Sequence, residues 1–332
     1  MNKWLAITCS RDDGDFIEAF IRGNSNYIDK FVILDDSTDN TIEILKRLRR
    51  EGFDIEVIQQ KKRGGAFDQR AMTNWMFQKL AKPKNFSAVI PLDVDEIIIP
   101  KTPADTKENI QLESSASFLE WVPFAPVSLG WPLTTRDELR KSFVLTTNEL
   151  GLVKKIFLPQ SCFTSKGVIE LGSHNYLVDG KPGVGKVNTQ LALAHFPIRS
   201  NEQLVSKLAM RVTEVRLKKA KEPGEALHYP EIVKMLIRKE FSPAIEDLQS
   251  AAANYANYID QKSKAKLNDE TDKSHPPYLE ALPTVDLRYN DLAKVRLVKN
   301  LYQLSSKLTD QLVMEFGIRA KKDQKYKVPF ST

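Results

Sequence analysis

The sequence predicts an α/β fold: a Rossmann-like sheet with flanking helices, followed by a mostly helical C-terminal region. Three observations predict it. Short apolar runs alternate with amphipathic stretches over the first hundred residues. Residues 115 to 200 are strand-rich and irregular. From 201 onward apolar residues recur at helical spacing. The expected division is therefore 1–200, in two halves of 1–100 and 101–200, and 201–332.

WLAITC (4–9) is a short apolar run and the first strand. Phe16, Ile17, Phe20 and Ile21 fall at three-to-four spacing, which predicts a helix over 14–28. FVIL (31–34) is a second strand, ending at Asp35 and Asp36. Ser37, Thr38 and Asp39 are helix N-cap types, and Ile42, Leu45 and Leu48 continue as one face of a helix. DIEVI (54–58) alternates as a third strand. KKRGG (61–65) reads as a loop, 66–81 as another helix, and 86–92 as the fourth strand.

In the middle lie SFLEWVPFAP, GLVKKIFLP, GVIELGSHNYLVDG and LALAHFPIRS. Beyond 201, Leu204, Leu208, Val212 and Val215 keep a helical stripe. So do Leu292, Val295, Leu301, Leu304, Leu308 and Leu312. The polar, Pro-containing stretch 261–285 reads as a linker or loop.

The bulk properties exclude several classes. The chain has 332 residues, 42% hydrophobic and 28% charged, an ordinary globular balance. No run of about 18 apolar residues suggests a membrane-spanning helix, and the N-terminal apolar run is too short for a signal peptide. Two cysteines, Cys9 and Cys162, make no disulfide framework, so a cytoplasmic setting is expected. Residues 201–332 hold 23 Lys+Arg against 18 Asp+Glu, most of the net +6. The basic piece KKDQKYK (321–327) suits peripheral contact with an anionic membrane surface. The competing reading is a solvated terminus. No nucleic-acid partner is expected.

The chemistry concentrates where strands end. Asp93 and Asp95 in AVIPLDVDEIIIP are two apart, so an extended backbone puts both carboxylates on one side. Such a pair suits Mg²⁺ or Mn²⁺ holding substrate phosphates; the alternative is an acidic turn capping its own backbone. Glu96 points the other way and is expected to anchor a loop. Asp35 ends the second strand, where acids of nucleotide folds meet base or ribose. Gly64 and Gly65 open a helix, as phosphate-binding loops do. Gln69, Arg70 and Asn74 offer polar contacts near the same cleft. His174 and His195 each close a strand-like segment and are candidate metal ligands. His228 and His275 carry less signal.

Together these pieces resemble the family 2 glycosyltransferases of the GT-A fold. The likeness is closer to a family-92-like subgroup of bacterial surface-polysaccharide enzymes. It rests on ITCSRDDGDFIEAFIRGN, FVILDDSTDNT, FDQRAMTNW, AVIPLDVDEIIIP and AHFPIRSNEQLVSKL, and covers about 1–210. In the last, a His is followed by Pro, Arg-Ser and a helix with a Lys. The resemblance implies a metal-dependent, inverting sugar transfer from a nucleotide-diphosphate sugar to a glycan or lipid-linked hydroxyl. It implies that Asp35 bonds the nucleotide base and that Thr8 and Arg11 line the nucleotide pocket. Asp93 would lie near ribose or metal. Asp95 would bind Mn²⁺ or Mg²⁺, with His195 preferred over His174 to complete the shell. Glu170 is the favoured general base; Asp179, also flanking His174, is second and Glu120 third.

AVIPLDVDEIII also fits a haloacid-dehalogenase-type phosphatase with Asp93 as nucleophile. Those motifs normally open the domain, whereas two α/β units come first here. A sugar nucleotidyltransferase would carry a Gly-rich basic loop after the first strand, which CSRDDGD lacks. The non-enzymatic alternative is an anionic-surface binder.

Overall fold

Strand β1 (Trp4–Ser10) sets the layout of the first hundred residues, because its side chains alternate between two buried faces. The computed structural model describes residues 2–59, 69–81, 86–129, 139, 142–145, 154–164, 166–208, 229–240, 242–257 and 278–289. Trp4 and Ala6 face one side, where Phe20 of α1 (Ile17–Asn24) and Ile44, Leu45 and Leu48 of α2 (Thr41–Arg50) join them. Leu5 and Ile7 face the other, with Met76 at the end of α3 (Gln69–Met76) and Phe77 beyond it. Each such fully buried side chain contributes about 1.5–3 kcal/mol. The continuous apolar run in β1 is thus the mark of a strand covered on both faces.

Strands β2 (Lys30–Asp35) and β3 (Ile55–Gln59) extend the sheet in parallel on one side of β1, and β4 (Ala88–Pro91) pairs in parallel on the other. The remaining sheet strands are β5 (Glu96–Pro100), β6 (Ala116–Pro126), β7 (Phe143–Leu145), β8 (Lys154–Pro159) and β12 (Val184–His195). The order is β3-β2-β1-β4-β8-β6-β12-β5, with β7 beside β6. The sheet is mixed, and β3, β2, β1 and β4 form the parallel part that the alternating pattern predicted. A second sheet of β9 (Gly167–Ile169), β10 (Tyr176–Val178) and β11 (Lys181–Pro182) is antiparallel.

The link from β4 to β5 forces the sheet to curl. Four strand-to-strand steps separate them, about 19 Å if flat. Only residues 92–95 connect them, and that link is itself a turn, with the Glu96 amide donating to the Asp93 carbonyl. It cannot span a flat sheet. The curl brings the two strands together over the turn that carries Asp93 and Asp95.

β5 ends the strand order, so one row of its backbone groups has no strand partner. Buried Asn24, at the end of α1, serves that edge. Its amide nitrogen donates to the Glu96 carbonyl at 2.9 Å, and its oxygen accepts from the Ile98 amide at 2.8 Å. Gly23 lets the helix approach, since a Cβ there would stand 2.9 Å from Ile97.

Residues 201–208 form helix α4, and α5 (Tyr229–Arg238) and α6 (Ile245–Asn257) follow. Leu204, Leu208, Ile232, Leu236 and Leu248 form an apolar cluster with Ala125 of β6. Helix α7 (Tyr278–Ala281) and the segment after it return to the first half. Leu282 and Val285 join the core of α1, α2 and β5. The expectation of a linker over 261–285 is therefore corrected for its last part: Tyr278, Leu282 and Val285 keep helical spacing and are buried, a signal masked by the prolines and charges before them. The KKRGG loop, Val212, Val215, the 292–312 stripe, His228, His275 and the basic 321–327 piece lie outside the described residues. Among the described residues, no helix is long and apolar enough to cross a membrane.

Replacing Asn24 by Leu strands the Ile98 amide and the Glu96 carbonyl in a dry setting. The expected loss is about 2–4 kcal/mol, read as a lower urea midpoint with an unchanged slope. A midpoint equal to the unaltered protein's would refute the edge-clamp role.

Candidate active site

Glu96 closes the turn that β4 delivers. One carboxylate oxygen accepts the Asp93 amide at 2.8 Å, and the other accepts the Trp121 indole N–H at 2.8 Å. It is fully buried, and burial raises its carboxyl above the usual range while Lys155 opposes the shift. This is the loop anchor its position suggested.

Asp93 is partly exposed, and it lies in a turn rather than on the extended backbone expected to put it on one side with Asp95. Gln69 donates to one of its oxygens at 3.0 Å, and the Lys155 ammonium sits 2.6 Å from the other. Lys155 has no exposed surface and also lies 3.4 Å from Glu96. Burial alone would lower its pKa; Asp93 and then Glu96 more than reverse that and hold it protonated. β8 supplies this lysine because alternation turns Lys155 inward and Lys154 outward, where Lys154 approaches Glu120.

Asp95 is buried beneath three nitrogen-bearing groups. Lys207 of α4 is 2.9 Å from Oδ2, Arg199 is 3.8 Å from the same oxygen, and His195 Nε2 is 3.8 Å from Oδ1. Burial would raise its carboxyl, but Lys207, His195 and Arg199 together hold it well below the ordinary range. Arg199 makes a two-pronged pair with Asp15, at 2.7 and 2.9 Å, and approaches Asp13 at 3.7 Å. Arg199 thereby ties the loop after β1 to the turn after β4. The Arg and Lys of AHFPIRSNEQLVSKL are the two cations that reach Asp95.

His195 ends β12 opposite Glu96. Its ring stacks on Trp121 with centroids 3.9 Å apart, and its buried Nδ1 has no hydrogen-bond partner among the described residues. Desolvation lowers its pKa to about 4, against the pull of Asp95. His174 meets Trp121 edge-on and is exposed, with Nδ1 2.9 Å from the Lys154 carbonyl oxygen. Gly172 admits that ring: its φ is +69°, and a Cβ would lie 2.5 Å from His174 Nε2.

The loops after β1 and β2 are stapled together. Asp12 accepts the Thr38 and Asp39 amides at 2.6 and 3.1 Å. Asp39 accepts the amide and hydroxyl of Thr41 and the Gly14 amide, so it caps α2 as its residue type suggested. Asp35 is buried and accepts the Ser37 amide and hydroxyl at 3.0 and 2.7 Å. Burial outweighs those bonds and raises its pKa to about 6. Arg11 lies 3.8 Å from Asp36. Thr8 is buried on β1, and its hydroxyl has no hydrogen-bond partner among the described residues.

Arg70 opens α3, its carbonyl accepting from the Asn74 amide group. Asn74 is structural: its side chain exchanges two hydrogen bonds with the Ile169 backbone and holds β9 on α3. Glu170 follows β9 and leads into the turn that carries His174. Asp179 is at the tip of the β10–β11 hairpin, with φ +51° beside Gly180 at +74°. That pair of left-handed residues is the usual two-residue hairpin turn. Asp179 is exposed there and pairs with Lys166 at 2.9 Å. Glu120 pairs with Lys101 at 2.9 Å. The turn thus gathers Asp93, Asp95, His195 and Gln69, while Asp179 and Glu120 have separate cationic partners.

The donor chemistry as arranged does not fit a divalent ion. Asp93, Asp95 and Asp15 each have a cation within 2.9 Å, Lys155, Lys207 and Arg199 in turn, and Glu96 and Asp13 share Lys155 and Arg199. Among the described residues, no three His, Cys, Asp or Glu side chains group as a metal cage. Lys155 and Asp15 were not anticipated as site residues. For Lys155 the local pattern gave no signal, since Lys154 shares a face with Ile156 and Leu158 as Lys155 does with Phe157, and all three apolar residues are buried.

No family model matches the chain, and no curated protein matches it. In structure it is similar to S. aureus TarS 1-349, at 13% identity and a TM-score of 0.35, over 82% of this chain and 98% of that one. The same TarS segment in complex with UDP gives 14% and 0.35, over 85% and 100%. The glycosyltransferase GlyE of Streptococcus pneumoniae TIGR4, in its apo form, gives 10% and 0.26, over 92% of this chain and 64% of that one.

His195 titrates near 4 folded and near 6.5 unfolded. The unfolded chain binds the extra proton between those values, so stability is full above pH 6.5 and falls as pH drops towards 4. Between pH 7 and pH 5 this group removes about 2 kcal/mol. His195→Phe keeps a ring on Trp121 and should lose that much less over the same range in urea unfolding. Identical pH slopes would refute the assignment.

Proposed function

We propose that the chain is a glycosyltransferase, moving a sugar from a nucleotide-diphosphate sugar to the hydroxyl of a glycan or lipid-linked acceptor. One observation carries this reading. β1 and β4 are adjacent parallel strands where the strand order switches direction, and the loops at their carboxyl ends are joined through Arg199, Asp15 and Asp95. Crevices at such switch points are where open α/β sheets take nucleotides. The family 2-like motifs fall on these same loops.

In this reading Thr8, Arg11 and Asp35 line the nucleoside side. Gln69, Arg70 and Asp93 face the ribose and diphosphate. Glu170 is the base that takes the acceptor proton, and direct displacement inverts the anomeric centre. Asp179 is the second candidate, and its Lys166 pair and turn position weigh against it. Surface-polysaccharide synthesis is the setting implied by the sequence likeness, with peripheral membrane contact through the basic C-terminal region.

A thermal-shift panel of UDP-, GDP-, CMP- and dTDP-sugars, with Mn²⁺ and with chelator, tests the reading. A donor at 100 times its Kd adds about 2.7 kcal/mol to stability, and one nucleotide class should raise the melting temperature. A flat panel under both conditions would sink the proposal. Glu170→Gln should cut turnover roughly 100-fold or more with donor binding intact; a fully active variant eliminates it as the base. Acid-stable, base-labile phosphate trapped on Asp93 would instead indicate the phosphatase chemistry that its strand-end position also permits.

A further inference from the structure

We propose that the cation serving the leaving diphosphate is the Lys207 ammonium, so that transfer requires no divalent metal; this rests on the transferase reading above. The pairing of charges around the turn points there. Asp93 has Lys155 at 2.6 Å, Asp15 has Arg199 at 2.7 Å, and Asp95 has Lys207 at 2.9 Å. A divalent ion at Asp93, Asp95 or Asp15 would have to displace the cation already paired with that carboxylate. An ion at Asp95 would also share one carboxylate with Lys207, Arg199 and His195, all within 3.8 Å. Two of those groups carry fixed positive charge and repel it.

The three cations are not equivalent. Lys155 has no exposed surface and is committed to Asp93 and Glu96. The Arg199 guanidinium is 2% exposed and its fork is spent on Asp15. Lys207 is 23% exposed, comes from α4 rather than the sheet, and is tethered at the strand ends by Asp95. Its ammonium also meets the Pro197 carbonyl at 3.4 Å and the Tyr255 ring at 5.4 Å, and of the three cations it is the most exposed. Asp95 then acts as a positioning residue, holding the Lys207 ammonium charged and aimed.

The step balances without a metal. The acceptor oxygen bonds to the anomeric carbon, and the bond from that carbon to the diphosphate oxygen breaks. Its electron pair leaves with the diphosphate, and the acceptor proton passes to the base. The negative charge gained by the diphosphate is met by Lys207 as a point charge.

The test compares nucleoside diphosphates with their nucleosides. Calorimetry with UDP, GDP, CDP and dTDP, each beside uridine, guanosine, cytidine or thymidine, is run on the full chain with chelator and again with Mn²⁺. One diphosphate should bind equally in both conditions and more tightly than its nucleoside. Lys207→Met should weaken that diphosphate roughly ten- to a hundred-fold and leave its nucleoside unchanged, with Lys207→Arg restoring part of the loss. Should Lys207→Met misfold, the chelator comparison on the unaltered chain still decides. Binding that appears only with Mn²⁺ overturns the inference and leaves the transferase reading standing. So does an unchanged diphosphate affinity in a folded Lys207→Met. No nucleotide binding under either condition overturns both.

Discussion

Lys155, without exposed surface and shared between Asp93 and Glu96, is the interaction on which the rest of the site depends. An ammonium buried alone would cost several kcal/mol, and removing one partner of such a pair typically costs about 3–5 kcal/mol. The pairing therefore fixes three things together. It holds β8 under the turn after β4, keeps Glu96 in place to bind the Asp93 amide, and leaves one face of Asp93 towards solvent. The curl of the sheet makes this possible, since a flat sheet could not return β5 to the turn within four residues.

The cations of the site come from distant parts of the chain. Lys155 is 62 positions from Asp93, Lys207 is 112 from Asp95, and Arg199 is 184 from Asp15. No local segment forms the site alone, and it exists only once both halves of the sheet and α4 have assembled. Such long-range contacts have their loop-closure entropy offset by everything else the fold buries.

This explains what was legible in the sequence. WLAITC, FVIL and AVIPL announce buried strands by local pattern, and α1 and α2 by their spacing. Asp39 and Glu96 could be read as a cap and a loop anchor because both act within a few residues of themselves. Asp93 and Asp95 could be seen as chemistry-bearing, but not their partners, because no spacing rule links Asp95 to Lys207. Lys155 was hidden inside KKIFLP, where the two lysines look alike and only the fold tells one face from the other. Asp179 was read as a candidate base, and its place in the Asp-Gly turn at 179–180 accounts for it by backbone geometry instead. Tyr278, Leu282 and Val285 show how a polar neighbourhood conceals a short buried segment.

The segment after α7 has a bearing on the order of events during synthesis. The amides of Arg288 and Tyr289 donate to the two carboxylate oxygens of Glu18, across 270 and 271 positions. At a translation rate of about 5–20 residues per second, Glu18 waits roughly 15 to 50 seconds for them. During that interval its companion is Arg22, one helical turn away at 2.9 Å. In the folded protein Glu18 therefore joins α1 to residues 288–289 and to Arg22 at once, a link that cannot close until Tyr289 has been made.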